Sequence, residues 1–135
     1  DHFGTLPPDC RPVQKLAFLL NNNDQATHVD VSDTGVVQWI AGGNSSGWIS
    51  LTGIIFPPNG LGTLPLELHN AWVAYGDGYS PAIFKVTVDG LCVVQGLLRS
   101  AGHWGHLATL PVQCRPSKDL VFSTCGEPST ARVDV

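Results

Sequence analysis

The chain contains no methionine, few charged side chains and no long apolar run, and each shortage removes a class of protein. Charged residues make up 13% of the sequence, the seven Lys and Arg are scattered singly, and the net charge is −4. No basic patch or helix is available to neutralise phosphates, which excludes nucleic-acid binding. The longest apolar stretches, Ile54-Ile55-Phe56 and Leu16 to Leu20, are far too short to cross a bilayer as helices, so no membrane insertion is expected. There is no G-x-S-x-G, H-E-x-x-H, Gly-rich phosphate loop or Cys–His signature, and the expectation is a non-enzyme without cofactor. The chain opens Asp1-His2-Phe3 without an initiator Met or a signal-type segment, which reads as a mature or excised piece.

What is present suits many short strands. The hydrophobic fraction of 43% supports a packed core, and fifteen Gly with ten Pro punctuate the chain often. Strand patterns fall at 15–20, 26–31, 36–41, 48–56, 71–75, 82–88, 91–99, 107–110, 119–124 and 130–135. Asp89-Gly90 and Asp33-Thr34-Gly35 predict tight hairpins, and Gly42 to Gly47 closes a third. Pro57 to Gly62 is the one linker-like stretch.

Four cysteines in 135 residues point to an oxidising, extracellular compartment. Cys10, Cys92, Cys114 and Cys125 contain no C-x2-C knuckle, and His103-Trp104-Gly105-His106 lacks a third ligand, so no metal site is expected. His28 and His69 are expected to face solvent.

The most informative feature is internal. Residues 2–31 align without a gap on residues 106–135, His106 on His2, with twelve identities in thirty. The shared pattern includes T-L-P-x-x-C-R-P and V-D-V, and chance does not produce it. The offset of 104 means one full period plus thirty duplicated residues. Cys10 and Cys114 therefore occupy one position of successive modules, and the disulfide is expected to join Cys92 to that position, as Cys92–Cys114 or as Cys10–Cys92. Cys125 aligns with Asn21 and has no repeated counterpart. Asp30 and Asp134, flanked by valines of buried type, are expected to point outward.

Residues 68–79 read L-H-N-A-W-V-A-Y-G-D-G-Y, followed by Lys85 and by Asp89-Gly90 leading to Gly96-Leu97. With T-L-P-x-x-x-R-P at Thr109 to Pro116, R-V-D-V at Arg132 to Val135 and W-x-S-L-x-G-I-x-F at Trp48 to Phe56, this set resembles a β-sandwich module of bacteriophage tail fibres and tail-tip proteins. The resemblance covers nearly the whole chain in permuted order. Residues 1–56 match the back of one module, 57–66 form a Pro/Gly linker, and 67–135 match the front and middle of the next. It implies an all-β, antiparallel β-sandwich built from a tandemly repeated module of about 104 residues. It also implies a non-catalytic adhesion or assembly role. The phage modules mostly lack cysteine and occur singly, so the cysteines and the duplication favour an extracellular repeat protein using the same module.

Two functions follow as expectations. The first is a structural unit of a secreted fibre whose copies join head to tail by strand donation. The second is a carbohydrate-binding adhesion module, with glycans as partner and Trp72, Tyr75, Asp77 and Tyr79 as the sugar-contacting residues. Trp39, Trp48 and Trp104 are expected in the core or between modules. Asn44, in the single N-x-S/T sequon, is the candidate glycosylation site.

Overall fold

A computed structural model of the chain describes residues 1–102, 104–126 and 130–135. Among them the regular elements are eleven β-strands and three single turns of 3-10 helix. The strands are β1 (His2–Thr5), β2 (Leu16–Asn22), β3 (Gln25–Val31), β4 (Val36–Gly42), β5 (Leu64–Pro65), β6 (Trp72–Ala74), β7 (Ile83–Val86), β8 (Cys92–Gln95), β9 (Leu98–Ser100), β10 (Val121–Cys125) and β11 (Thr130–Asp134). They form antiparallel sheets ordered β1-β4-β3-β2, β5-β7-β8, β6-β9 and β10-β11. The protein is all-β.

The four-stranded sheet carries the core. Seven-residue strands rich in Leu and Val alternate apolar side chains onto one face. Leu20, Val29, Val31 and Val37 are buried together there, under Leu6, Phe18, Ile49, Ile54 and Phe56. β2 and β3 are joined by the two-residue turn Asn23-Asp24, in which Asn23 takes a positive φ.

The loop 33–35 closes where its sequence places it, and the hairpin at Asp89-Gly90 is one residue longer than the two-residue turn its sequence suggests. Ser32 N–H donates to Val36 O at 2.9 Å, and Thr87 N–H donates to Leu91 O at 2.8 Å, so each loop holds three residues. In both, a glycine at φ +87° closes the loop, and the leading hydroxyl accepts the N–H of the residue after it at 3.0 Å. A single left-handed residue meets the needs of this three-residue loop, where a type I′ turn needs two.

Three expected strands are interrupted. Residues 48–56 alternate correctly but make only one bridge, Ser50 N–H to Asn21 O at 3.0 Å. They lie as a covering segment, with Gly53 at φ +117° turning the chain so that Ile54 and Phe56 both reach the core. Buried Asn22 anchors the preceding loop: its amide nitrogen donates to Trp48 O, and its carbonyl accepts Ser46 N–H at 3.2 Å. The run 91–99 is split at Gly96, whose φ of +136° sets its α-carbon against the Pro81 carbonyl. Residues 107–110 contribute one bridge, Leu68 to Ala108. Conversely β1, and β5 inside the 57–66 stretch, pair where no alternation signalled a strand.

Candidate assembly interface

The duplicated segments adopt one local geometry. Pro7 and Pro111 enter the short turns Pro8–Cys10 and Val112–Cys114 at φ −62° with ψ 155° and 156°. Arg11 Nε donates to Leu6 O at 3.1 Å, and Arg115 Nε to Leu110 O at 2.9 Å. His2 Nε2 lies 2.7 Å from Gly4 O and 3.1 Å from Thr5 Oγ1; His106 Nε2 lies 3.0 Å from Ala108 O and 3.2 Å from Thr109 Oγ1. The hairpins share a register, Ala17 opposite Asp30 and Val121 opposite Asp134, Phe18 opposite Val29 and Phe122 opposite Val133. Each aspartate takes a nitrogen side chain two residues before it, His28 at 2.7 Å and Arg132 at 2.7 Å.

They differ in what covers them. Leu16 and Val31 are 3% and 0% exposed, whereas their counterparts Leu120 and Val135 are 45% and 38% exposed. Phe122 is likewise half bare. The first hairpin is flanked by β4 along β3 and covered by Ile49, Ile54 and Phe56. Hairpin β10–β11 forms a sheet of its own, and β11 has no further strand beside it among the described residues.

The far face of the first hairpin is closed as well, by the loop 75–80. Lys15 N–H donates to Gly78 O at 3.1 Å, and Ser80 N–H to Lys15 O at 2.9 Å. Tyr79 OH donates to Asp30 Oδ2 at 2.6 Å, and Lys15 Nζ stands 3.8 Å from the centre of the Tyr79 ring. Asp30 is therefore buried rather than outward-facing, and His28, bonded to it, is only partly exposed. The alternation does turn Asp30 away from the valines, but Tyr79, remote in sequence, covers that side. Burial first, then the bond to Asp30, holds the Tyr79 phenol well above its usual pKa. Cys125 is free, and burial followed by the charge of Asp30 pushes its thiol up to about 11.

The second segment is tied to the body of the chain at its start. Cys92 and Cys114 form a disulfide, while Cys10 is free and exposed. His69 N–H donates to Leu107 O at 2.8 Å, and Asn70 Nδ2 donates to His106 O at 2.9 Å. The His69 ring stacks on His106 at 4.7 Å, and its Nε2 lies 3.1 Å from Thr109 Oγ1, so His69 is engaged rather than free in solvent.

Of the expected sugar-contacting residues, Tyr75 and Tyr79 meet edge-on at 5.7 Å. Trp72 is buried and stacks edge-on with Trp104 at 5.1 Å; Tyr79 is held by Asp30; Tyr75 and Asp77 remain at the surface. Trp39 is half-buried, but Trp48 and Trp104 are exposed rather than in a core. Asn44 is exposed in its loop. His103 lies outside the described residues, and among those described no group of three metal-ligating side chains converges. No described helix is long and apolar enough to cross a membrane. Neither the Asp30–Tyr79 clasp nor the pairing of Leu68–Asn70 with the T-L-P segment had a local signal in the sequence, because each joins residues far apart in the chain. Set against family models, curated proteins and solved structures, the chain matches none.

Proposed function

We propose that this chain is a structural repeat unit of an extracellular fibre, without catalytic activity, whose copies join head to tail by strand complementation. In this reading the unit is an antiparallel β-sandwich module of about 104 residues, and residues 106–135 begin the next one. The observation that carries it is the unequal cover of two hairpins in one register: Leu16 and Val31 are buried and Phe18 packs against the core with Ile49, Ile54 and Phe56, whereas Leu120, Phe122 and Val135 are half-exposed. A bare apolar hairpin with an open edge is the surface that strand addition uses. The contact joins different patches of each copy, so it propagates instead of closing. The disulfide fits an oxidising environment outside the cell.

The magnitudes define what must do the joining. Covering three half-exposed apolar side chains supplies about 3 kcal/mol. Association costs at least about 4 kcal/mol. Side-chain burial alone does not hold two copies together; main-chain pairing along β11 and further contacts are required.

The test is electron microscopy of the purified full chain over a concentration series, under non-reducing conditions. Filaments with an axial repeat of roughly 3–4 nm, the size of a compact hundred-residue unit, are expected. A monodisperse monomer at millimolar concentration would overturn the reading.

A further inference from the structure

The segment Asp1 to Cys10 carries the counterparts of the groups that residues 106–114 use to attach to the body of the chain, but here His2 and Thr5 bond only within their own segment and Cys10 is a free thiol. His106, Leu107, Thr109 and Cys114 bind Leu68–Asn70 and Cys92 through a ring, a carbonyl, a hydroxyl and a sulfur. Their counterparts are His2, Phe3, Thr5 and Cys10. β1 is the edge strand of its sheet and all four of its residues are exposed. Phe3, the counterpart of Leu107, is the extra residue of a bulge and stands opposite no residue of β4.

We infer that the exposed His2–Cys10 segment is a docking element for a second copy of this chain, seating on that copy's Leu68–Asn70 and bonding Cys10 to its Cys92. This rests on the head-to-tail reading above and names its joint. The reaction is thiol–disulfide exchange. The Cys10 thiolate of one copy attacks the Cys92 sulfur of the other, the Cys10–Cys92 bond forms as Cys92–Cys114 breaks, and Cys114 leaves as a thiolate. Nothing is oxidised overall, and the segment beginning at His106 gives way to its equivalent.

Shape supports the same pairing. Beside Cys10 lies an apolar groove of about 380 Å³, lined by Leu6, Ile54, Ile55, Phe56 and Pro58. Next to Cys92 projects the β7–β8 hairpin tip, with Val88 and Leu91 exposed. A tip that reaches Cys10 delivers these two side chains to the groove.

The tethered His106 segment competes with the incoming copy at an effective concentration of the order of millimolar. At micromolar chain the exchange therefore lies roughly a thousandfold toward the internal disulfide, and it becomes comparable at millimolar chain.

The experiment uses the full chain carrying Cys125→Ser in a glutathione redox buffer, quenched by alkylation and read by non-reducing gels and peptide mapping. Adding Cys114→Ser removes the internal competitor, and oxidised glutathione takes the two electrons as the thiols pair. Linked multimers should then appear at micromolar chain, with Cys10–Cys92 as their cross-link, and vanish in Cys10→Ser. His69→Ala and Val88→Lys should each lower the yield several-fold, because docking and not random collision brings the sulfurs together. If Cys114→Ser is unfolded by circular dichroism, the chain with its disulfide intact, at millimolar concentration, gives the same readout. Monomers with Cys10 and Cys92 alkylated, Cys10–Cys10 links, or a yield indifferent to His69 and Val88 would overturn the inference. Filaments without this cross-link would overturn the joint and leave the fibre standing. Cross-linked pairs that never extend would do the reverse.

Discussion

Replacing Tyr79 by Phe removes one oxygen and isolates the clasp that closes the far face of the first hairpin. The lost bond is short, 2.6 Å, and its acceptor is a carboxylate 3% exposed to solvent. A hydrogen bond to a charged group contributes about 1.5–3 kcal/mol, and Asp30 retains only His28 as a side-chain partner. Phe keeps the ring, so its packing on Lys15 survives and the loss stays near 2 kcal/mol. For a chain of this size that lowers the thermal midpoint by about 6–8 °C. Urea unfolding of the disulfide-intact chain, monitored by tryptophan fluorescence and far-ultraviolet circular dichroism, measures it. The duplicated position supplies the control. Asp134, exposed and paired only with Arg132, should tolerate Asn with no change in midpoint, whereas Asp30→Asn should match Tyr79→Phe within error and show strong non-additivity with it. A loss below about 0.5 kcal/mol for Tyr79→Phe, or equal effects of Asp30→Asn and Asp134→Asn, would refute the clasp as a source of stability.

Four further outcomes are expected. The Tyr79 pKa is raised on folding, so its contribution is complete below the unfolded value near 10 and is lost as pH rises toward the folded one; wild-type stability should fall above pH 10 more steeply than that of Tyr79→Phe, in pH-dependent urea titrations. Cys92→Ser opens a disulfide spanning 22 residues and should cost about 3 kcal/mol, with proteolysis between residues 100 and 120 accelerating first. Gly96→Ala would place a Cβ 2.5 Å from Pro81 O at a φ of +136°, and should cost about 2–3 kcal/mol by chemical denaturation. Phe122→Ser should cost no more than about 1 kcal/mol yet abolish filaments, whereas Phe18→Ser at the equivalent position of the covered hairpin should cost at least about 2 kcal/mol.

The parts of the fold legible in the sequence are those whose signal is local. β2, β3, β4, β10 and β11 announce themselves by β-branched and aromatic residues in alternation, and the 2–31 and 106–135 segments by their shared pattern. Where legibility fails, a partner distant in the chain decides. Trp48 to Phe56 alternates as well as any strand, yet it makes a single bridge, at Ser50, before Gly53 redirects it to cover the core. Asp30 sits between valines in a V-D-V run, and only the loop 75–80, folding back over β3, turns an outward carboxylate into a buried one. His69 looked solitary because its stacking partner, His106, lies far along the chain. For the candidate interface, the sequence identified the equivalent positions, and the structure supplied which copy is covered.

The bare hairpin has a consequence for how the chain folds. β10 and β11 settle into the register of β2 and β3 with β10 lying against β2 but without a covering segment like that of Ile49, Ile54 and Phe56. Two interchangeable strand pairs in one polypeptide invite exchange, β2 pairing with β11 in place of β3, the characteristic misfolding of repeated sequences. Closing the two-residue Asn23-Asp24 loop competes with closing one that runs from Asn22 to Thr130, and the longer closure is disfavoured by about 2–4 kcal/mol of chain entropy. Hairpins also form within microseconds, long before distant segments meet and pack. Each strand therefore finds its own neighbour first, and local speed keeps one copy from being tangled with the next.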